Sequence, residues 1–252
     1  MIDVRAAYDE VAERIADVVL ELDTSDASAP VRSCPGWTVH DVLAHHVGAV
    51  VDASTGNAPE IPGGLDFLRD FDDVIGTVFA DVSARQVAER ATRSIGDLVA
   101  EWRPAARTAW AICLGELPDR GYPIPAAVLQ GVMVNDAVVH EGDVRQALGL
   151  PPAPESAALS VALSGYALLA STHLQKAGLG AISLEYDGRE KLLGTGDPVL
   201  TLRAPRHDLV RVLAGRRSRE QILAMDWDGD PTNHADHLSA YGVVSPEDAD
   251  VL

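Results

Sequence analysis

Cysteine is scarce in this chain. The 252 residues contain two, Cys34 and Cys113, which excludes a disulfide framework or a thiolate zinc cluster and suits a reducing cytoplasm. Positive charge is scarce too: 20 Lys and Arg face 38 Asp and Glu, for a formal charge of −18. The acids are scattered rather than gathered into a tail. Nucleic acid and anionic membranes recruit basic patches, so neither is an expected partner. Lysine is almost missing, Lys176 and Lys191 being the only two. With abundant alanine, aspartate and valine, this usage is typical of GC-rich genomes. The chain enters a charged, amphipathic helix soon after Met1, so no signal peptide is expected, and no stretch is read as approaching the length that spans a bilayer. The expected location is cytoplasmic.

What is present is a large apolar complement, 47 % of residues, enough for one large or two ordinary domains. Val4, Tyr8, Val11, Ile15, Val18 and Leu22 alternate by four and three, a helical stripe of about five turns. After the turn Ser33-Cys34-Pro35-Gly36-Trp37, Thr38 is placed to cap a second helix, with Asp41 near its positive end and Val39, Val42, Leu43, Val47 and Val50 as its buried stripe. Ser54 to Gly64 reads as a loop. A third, irregular helix is expected from about Leu65 to Phe79, and a fourth from about Ala84 to Trp102. Leu117 to Pro125 is a Pro- and Gly-bearing connection into a helix over Ala126–Leu148.

Pro151, Pro152 and Pro154 then mark a domain boundary. A helix from Glu155 to Ala177 ends at Gly178 and Gly180, after which the period changes to two in Ile182, Leu184 and Tyr186 and again in Val199 to Arg203. Asp187-Gly188 reads as a hairpin turn from the first of these runs to the next. Short helices are expected over His207–Ala214 and Ser218–Met225. The fold class is α+β, with a helical bundle over 1–150 joined to a smaller α+β domain over 151–252.

The helix over Ala126–Leu148 carries the chemistry. Val128, Leu129, Val132, Met133, Val139, Val144 and Ala147 form one broad apolar face, and Asp136, His140 and Asp143 fall in its middle. A carboxylate buried without a partner costs several kcal/mol or more, so it neutralises or finds a cation. Asp136 and His140, four apart, stack on one side of the helix and can reach a single ion. A third ligand must come from elsewhere, and His45 and His46 are the candidates. Periodicity centres His46 on the apolar stripe of the second helix and puts His45 toward its edge. A buried hydrogen-bonded pair, His140 with Asp136 or Asp143, is the alternative to a metal.

The run from Cys34 to His45 (Cys-Pro-Gly-Trp-Thr-Val-His-Asp-Val-Leu-Ala-His), together with Asp136-x-x-x-His140-x-x-Asp143 before Ala147-Leu148-Gly149, resembles the mycothiol-dependent maleylpyruvate isomerase family. Leu202-Arg203-Ala204-Pro205 and Leu213-Ala214-Gly215-Arg216 extend the likeness to most of the chain. The resemblance implies a DinB-like four-helix bundle in the N-terminal part. It also implies a divalent metal, zinc in the usual case, held by His45, Asp136 and His140. The first motif here has Val42 in place of a leucine. Asp136 stands where the best-characterised isomerases use glutamate, which shortens the reach by about 1.5 Å, one carbon–carbon bond. By the same resemblance Arg216 places a cation near the active site to grip a substrate carboxylate, with Arg217 as its neighbour and alternative.

The implied cosubstrate is a mycothiol-like small thiol, and the partner an electrophile such as maleylpyruvate. The thiolate adds to a conjugated cis double bond, the new single bond rotates, and elimination returns the trans isomer. Thiol transfer to another electrophile uses the same apparatus. Asp143 is assigned to orienting an imidazole or a metal-bound water; as a general base it would instead serve a metal-dependent hydrolase of amide or thiol conjugates. A non-catalytic, metal-braced binding protein is the third reading. Trp37 is read as an aromatic plug for the bundle end. His40, His173, His207, His234 and His237 are read as surface or helix-end histidines. The acids of Asp226–Asp230 lack the spacing of a calcium loop. The expected assembly is a monomer or weak homodimer.

Overall fold

The computed structural model describes residues 2–57 and 79–250. These divide into two compact units, Met1–Pro151 and Pro152–Leu252. In the first, α1 (Val4–Leu20), a single turn α2 (Thr24–Ala27), α3 (Val39–Thr55), α4 (Ala80–Ala88), α5 (Ile95–Cys113) and α6 (Ala126–Ala147) follow one another. The four long helices α1, α3, α5 and α6 pack as a bundle, with α4 laid against α3. Thr38 and Asp41 form a reciprocal capping box that fixes where α3 starts, and so which side of it faces inward. The bundle core carries its own hydrogen bond: Trp102 Nε1 donates to the Tyr8 hydroxyl at 2.9 Å, both residues being buried.

The expected third helix falls almost wholly outside the described residues. The expected fourth helix is corrected. The chain turns after α4, and α5 begins anew at Ser94, whose hydroxyl accepts from Asp97 N; it then continues through Pro104 to Cys113. The apolar period runs on across this break, which is why it reads as one element. The turn is tied down by Arg90, buried and donating from two guanidinium nitrogens to Glu101 at 3.0 and 3.1 Å. In α6 the burial is broader than one face. Ala137 through Glu141 are all buried, and Glu141 accepts from Arg14 Nε at 2.9 Å and Nη2 at 2.8 Å and from Arg145.

The second unit holds α7 (Ala157–Lys176), β1 (Ala181–Tyr186), β2 (Arg189–Leu193), β3 (Pro198–Arg203), α8 (Arg206–Leu213), α9 (Arg219–Leu223) and β4 (Asp226–Asp228). The sheet order is β2-β1-β3-β4, with β1 antiparallel to β2 and parallel to β3. Asp187 and Gly188 both have positive φ, 50° and 69°, the two-residue turn that suits the twist of a hairpin. Its second strand is β2, a short charged segment without alternation, and not the later run at Val199. One expectation about length is also corrected: α7, 20 residues, is long and apolar enough to cross a membrane by length and composition alone. Ala158, Leu159, Ala162, Leu163, Tyr166, Ala170 and Leu174, which make it so, are buried, and α7 packs on α8 and β2.

Gly48 sets the approach of α4 to α3. A Cβ there would lie 2.6 Å from Gln86 Cβ and 3.0 Å from Arg90 Nη1, inside van der Waals contact. Gly48→Ala is therefore expected to destabilise the chain by about 1–3 kcal/mol through overpacking, read as a lowered urea midpoint. An unchanged midpoint would contradict this packing.

Candidate metal centre

His45 comes from α3, and Asp136 and His140 come from adjacent turns of α6. His140 Nε2 lies 3.4 Å from Asp136 Oδ1 and His45 Nε2 lies 3.8 Å from the same oxygen. The three candidate ligand atoms fall within 4.8 Å of one another. Tetrahedral coordination at about 2.1 Å puts ligand atoms about 3.4 Å apart, so this separation suits an ion between them. Two imidazole nitrogens and a carboxylate oxygen are a donor set that zinc accepts. His140 is buried, while His45 and Asp136 keep partial exposure, which leaves one side of the cluster approachable.

Each of these groups is held from behind. His140 Nδ1 donates to Asp143 Oδ2 at 2.9 Å, and Asp143 Oδ1 accepts from the Ser33 hydroxyl at 2.9 Å. The Cys34 thiol donates to the same Asp143 Oδ2 at 3.5 Å. His45 Nδ1 faces Gln86 Oε1 at 2.8 Å. His46 Nδ1 donates to Asp136 Oδ2 at 2.5 Å, which turns the other oxygen toward the two imidazoles. His46 is thus the brace of Asp136, and the edge position His45 faces the cluster. The Trp37 ring lies 5.1 Å from the His45 ring. The His45 and His140 rings meet edge to face at 5.2 Å.

The electrostatics follow from crowding one acid among three imidazoles. Burial pulls the His140 pKa down, but the Asp136 charge and hydrogen bonds from Asp136, Asp143 and Cys34 outweigh it, leaving His140 well above the ordinary value. Burial alone would raise Asp136, and His140 and His46 reverse that, holding it well below the carboxylate range. His45 goes the other way, to about 4, because burial and its neighbouring imidazoles outweigh Asp136. At neutral pH, then, His140 carries a proton that pairs with Asp136, and His45 is neutral.

The structure brings His45, Asp136, His140 and Asp143 together. Arg216 belongs to the other compact unit. There it is buried and donates from Nη1 to the Ala214 carbonyl at 2.9 Å. Its neighbour Arg217 is committed to Asp250 at 2.8 Å and Asp208 at 2.9 Å. Among the remaining histidines, His40 Nε2 meets the Arg93 carbonyl at 2.8 Å. His234 stands at a helix end, as one half of the expectation has it, capping a short 3-10 helix at Ala235–His237; it is nevertheless buried, and neither ring nitrogen has a hydrogen-bond partner among the described residues. Gln86, Ser33 and Cys34 were not expected at the site. Gln86 had a signal, since it and Arg90 occupy inward positions of their segment where an apolar residue belongs.

Residues 8–145, more than half of the chain, match the family described as mycothiol maleylpyruvate isomerase N-terminal domain. Two solved structures share the fold. One is described as the crystal structure of the mycothiol-dependent maleylpyruvate isomerase; it aligns with a TM-score of 0.55 at 14 % identity, covering 85 % of this chain and 88 % of that one. The other, a histidine-to-alanine mutant of that isomerase, gives 0.52 at 15 % identity and covers 84 % and 88 %. None of the curated proteins matches.

Ligation requires a neutral imidazole. Because His140 has a raised pKa, it is protonated at neutral pH and must lose that proton when an ion binds, whereas His45 is already neutral. Zinc affinity is therefore expected to rise with pH up to the His140 value and level off above it. At pH 7, calorimetry in buffers of different ionisation enthalpy should show release of about one proton per ion. Binding without proton release would contradict the charged state assigned to His140.

Proposed function

The chain belongs to the mycothiol maleylpyruvate isomerase family through its N-terminal domain, and from that premise we propose a metal-dependent enzyme that uses a small thiol of the mycothiol type. Its reaction is isomerisation of a small electrophile such as maleylpyruvate, or transfer of the thiol to one. The observation that carries this reading is the convergence of His45 Nε2, Asp136 Oδ1 and His140 Nε2 at coordination spacing. A divalent ion held there, zinc by its donor set, supplies the Lewis acidity that lets a thiol lose its proton at neutral pH.

The chain's own residues do the rest. His45, Asp136 and His140 hold the ion. His46 and Asp143 keep Asp136 and His140 turned toward it, and Trp37 forms a wall beside His45. By the family resemblance alone, Arg216 is proposed as the cation for the substrate carboxylate. The thiolate adds to the double bond and leaves an enolate; the bond, now single, rotates; collapse of the enolate expels the thiolate. No atom is gained or lost by the substrate. A cytoplasmic location and a monomeric or weakly dimeric state complete the proposal, supported by the acidic composition and two free cysteines.

The geometry favours this over hydrolysis. A hydrolase would use Asp143 as general base, yet Asp143 is fully buried, with one oxygen on His140 and the other on Ser33. It also meets His140 at Nδ1, the ring nitrogen turned away from Asp136. A purely bracing metal would call for a closed shell of four protein ligands, and the described residues of this cluster offer three.

The test is turnover of maleylpyruvate by the zinc-loaded protein with and without a low-molecular-weight thiol. The expected outcome is isomerisation that needs the thiol and falls to background in His140→Ala, which also loses its zinc. Thiol-independent turnover, or no thiol binding at millimolar concentration, would defeat the proposal.

A further inference from the structure

Behind His45 the structure contains more than a single hydrogen bond. Gln86, buried, presents Oε1 to His45 Nδ1 at 2.8 Å and donates from Nε2 to Asp52 Oδ2 at 2.6 Å. Asp52 is buried as well, and its carboxylate is saturated: Oδ2 also accepts from Arg85 Nη2 at 2.8 Å, and Oδ1 accepts from Asn57 at 3.0 Å. His45, Gly48 and Asp52 lie three and four residues apart, along one face of α3. It is the missing side chain at Gly48 that lets Gln86 reach across between the other two.

A glutamine amide has two unlike ends, and which end faces a neighbour is set by what the other end meets. Beside the Asp52 carboxylate, which pairs with Arg85 at 2.8 Å, only the NH2 end is acceptable, since a carbonyl oxygen placed there would face a carboxylate oxygen. The amide oxygen is therefore obliged to point at His45. An oxygen at that position accepts only, so the neutral His45 ring carries its proton on Nδ1, and Nε2 is left as a bare lone pair facing Asp136 and His140. With the opposite tautomer, Nε2 would carry a hydrogen and could not ligate.

We infer that Asp52 and Gln86 form a polarity relay that sets the His45 tautomer and thereby makes His45 competent to bind an ion. They are positioning residues, acting through His45 without touching substrate. Arg85 serves the relay by donating to Asp52 Oδ2 at 2.8 Å, which fixes the oxygen that the Gln86 NH2 group meets. The inference rests on the metal reading only for its consequence; the tautomer itself is a property of the metal-free chain.

The experiment has two readouts on the full-length protein. Nitrogen-15 correlation spectra of the metal-free protein at neutral pH report which ring nitrogen of His45 carries the proton. Competition with a chromogenic chelator reports zinc affinity. Wild type is expected to show the Nδ1–H form. Asp52→Ala frees the amide to flip, and Gln86→Met removes it. Both should populate Nε2–H and weaken zinc binding by about 10- to 100-fold, the usual effect of losing a group that orients a ligand. Asp52→Asn, which keeps an acceptor oxygen for Gln86, should restore the wild-type tautomer and most of the affinity. If Asp52→Ala unfolds, Gln86→Met and Asp52→Asn still decide the matter.

The relay is overturned if Gln86→Met leaves both the tautomer and the affinity at wild-type values, or if wild type itself is Nε2–H. If wild type holds no zinc but its tautomer still switches as described, the relay stands and the metal reading fails.

Discussion

One carboxylate among three imidazoles is the constraint on which the bundle's interior depends. Asp136 sits on α6 with His140 one turn below it and His45 and His46 across from it on α3. Left to itself, a buried acid protonates or drags in a counter-charge. Here the neighbours hold it ionised, and the result is a site where a proton or a metal ion must balance the charge. The proton on His140 does this in the metal-free chain. A divalent ion in its place would satisfy the same carboxylate, with His140, once deprotonated, and the already neutral His45 as the proposed imidazole ligands.

Much of the surrounding fold makes sense as support for that cluster. The capping box at Thr38 fixes the phase of α3, which decides that His45 and His46 look in different directions from adjacent positions. Ser33 and Cys34, in the turn before it, meet Asp143 and so reach His140 from behind. Gly48 admits α4. Glu141, one residue beyond His140, is clasped by Arg14 and Arg145, which pins α6 to α1 at the level of the site. The Arg14–Glu141 pair, 127 residues apart in sequence, thus holds the helix that carries two of the candidate ligands.

How much of this the sequence reveals varies with the range of the interaction. The stripes of α1 and α3, the cap at Thr38, the turn at Asp187-Gly188 and the spacing of Asp136 and His140 are local, and local pattern discloses them. The choice between His45 and His46 is not local. The stripe centre marks the more buried residue, His46, but the cluster is faced by the residue at the edge, and only the packing of α6 against α3 shows this. Gln86 and Arg90 stand at inward positions of their segment, a signal of burial, but the partner that makes Gln86 part of the site, His45, lies 41 residues away, and Glu141 meets Arg14 127 residues away, so neither pairing is legible until the helices are placed. β2 has no alternation because it is a charged segment that pairs on one side only, and the apolar rhythm through Ala88 to Ser94 hides a true break between helices.

The central claim is that His45, Asp136 and His140 share one ion. X-ray absorption at the zinc edge of the loaded protein tests this most directly, because it resolves light donors from sulfur and recognises imidazole by its outer-shell scattering. The account predicts two imidazole nitrogens at about 2.0–2.1 Å and carboxylate or solvent oxygen completing the shell. A sulfur shell at about 2.3 Å, placing Cys34 on the ion, or a site with fewer than two imidazoles, would contradict it.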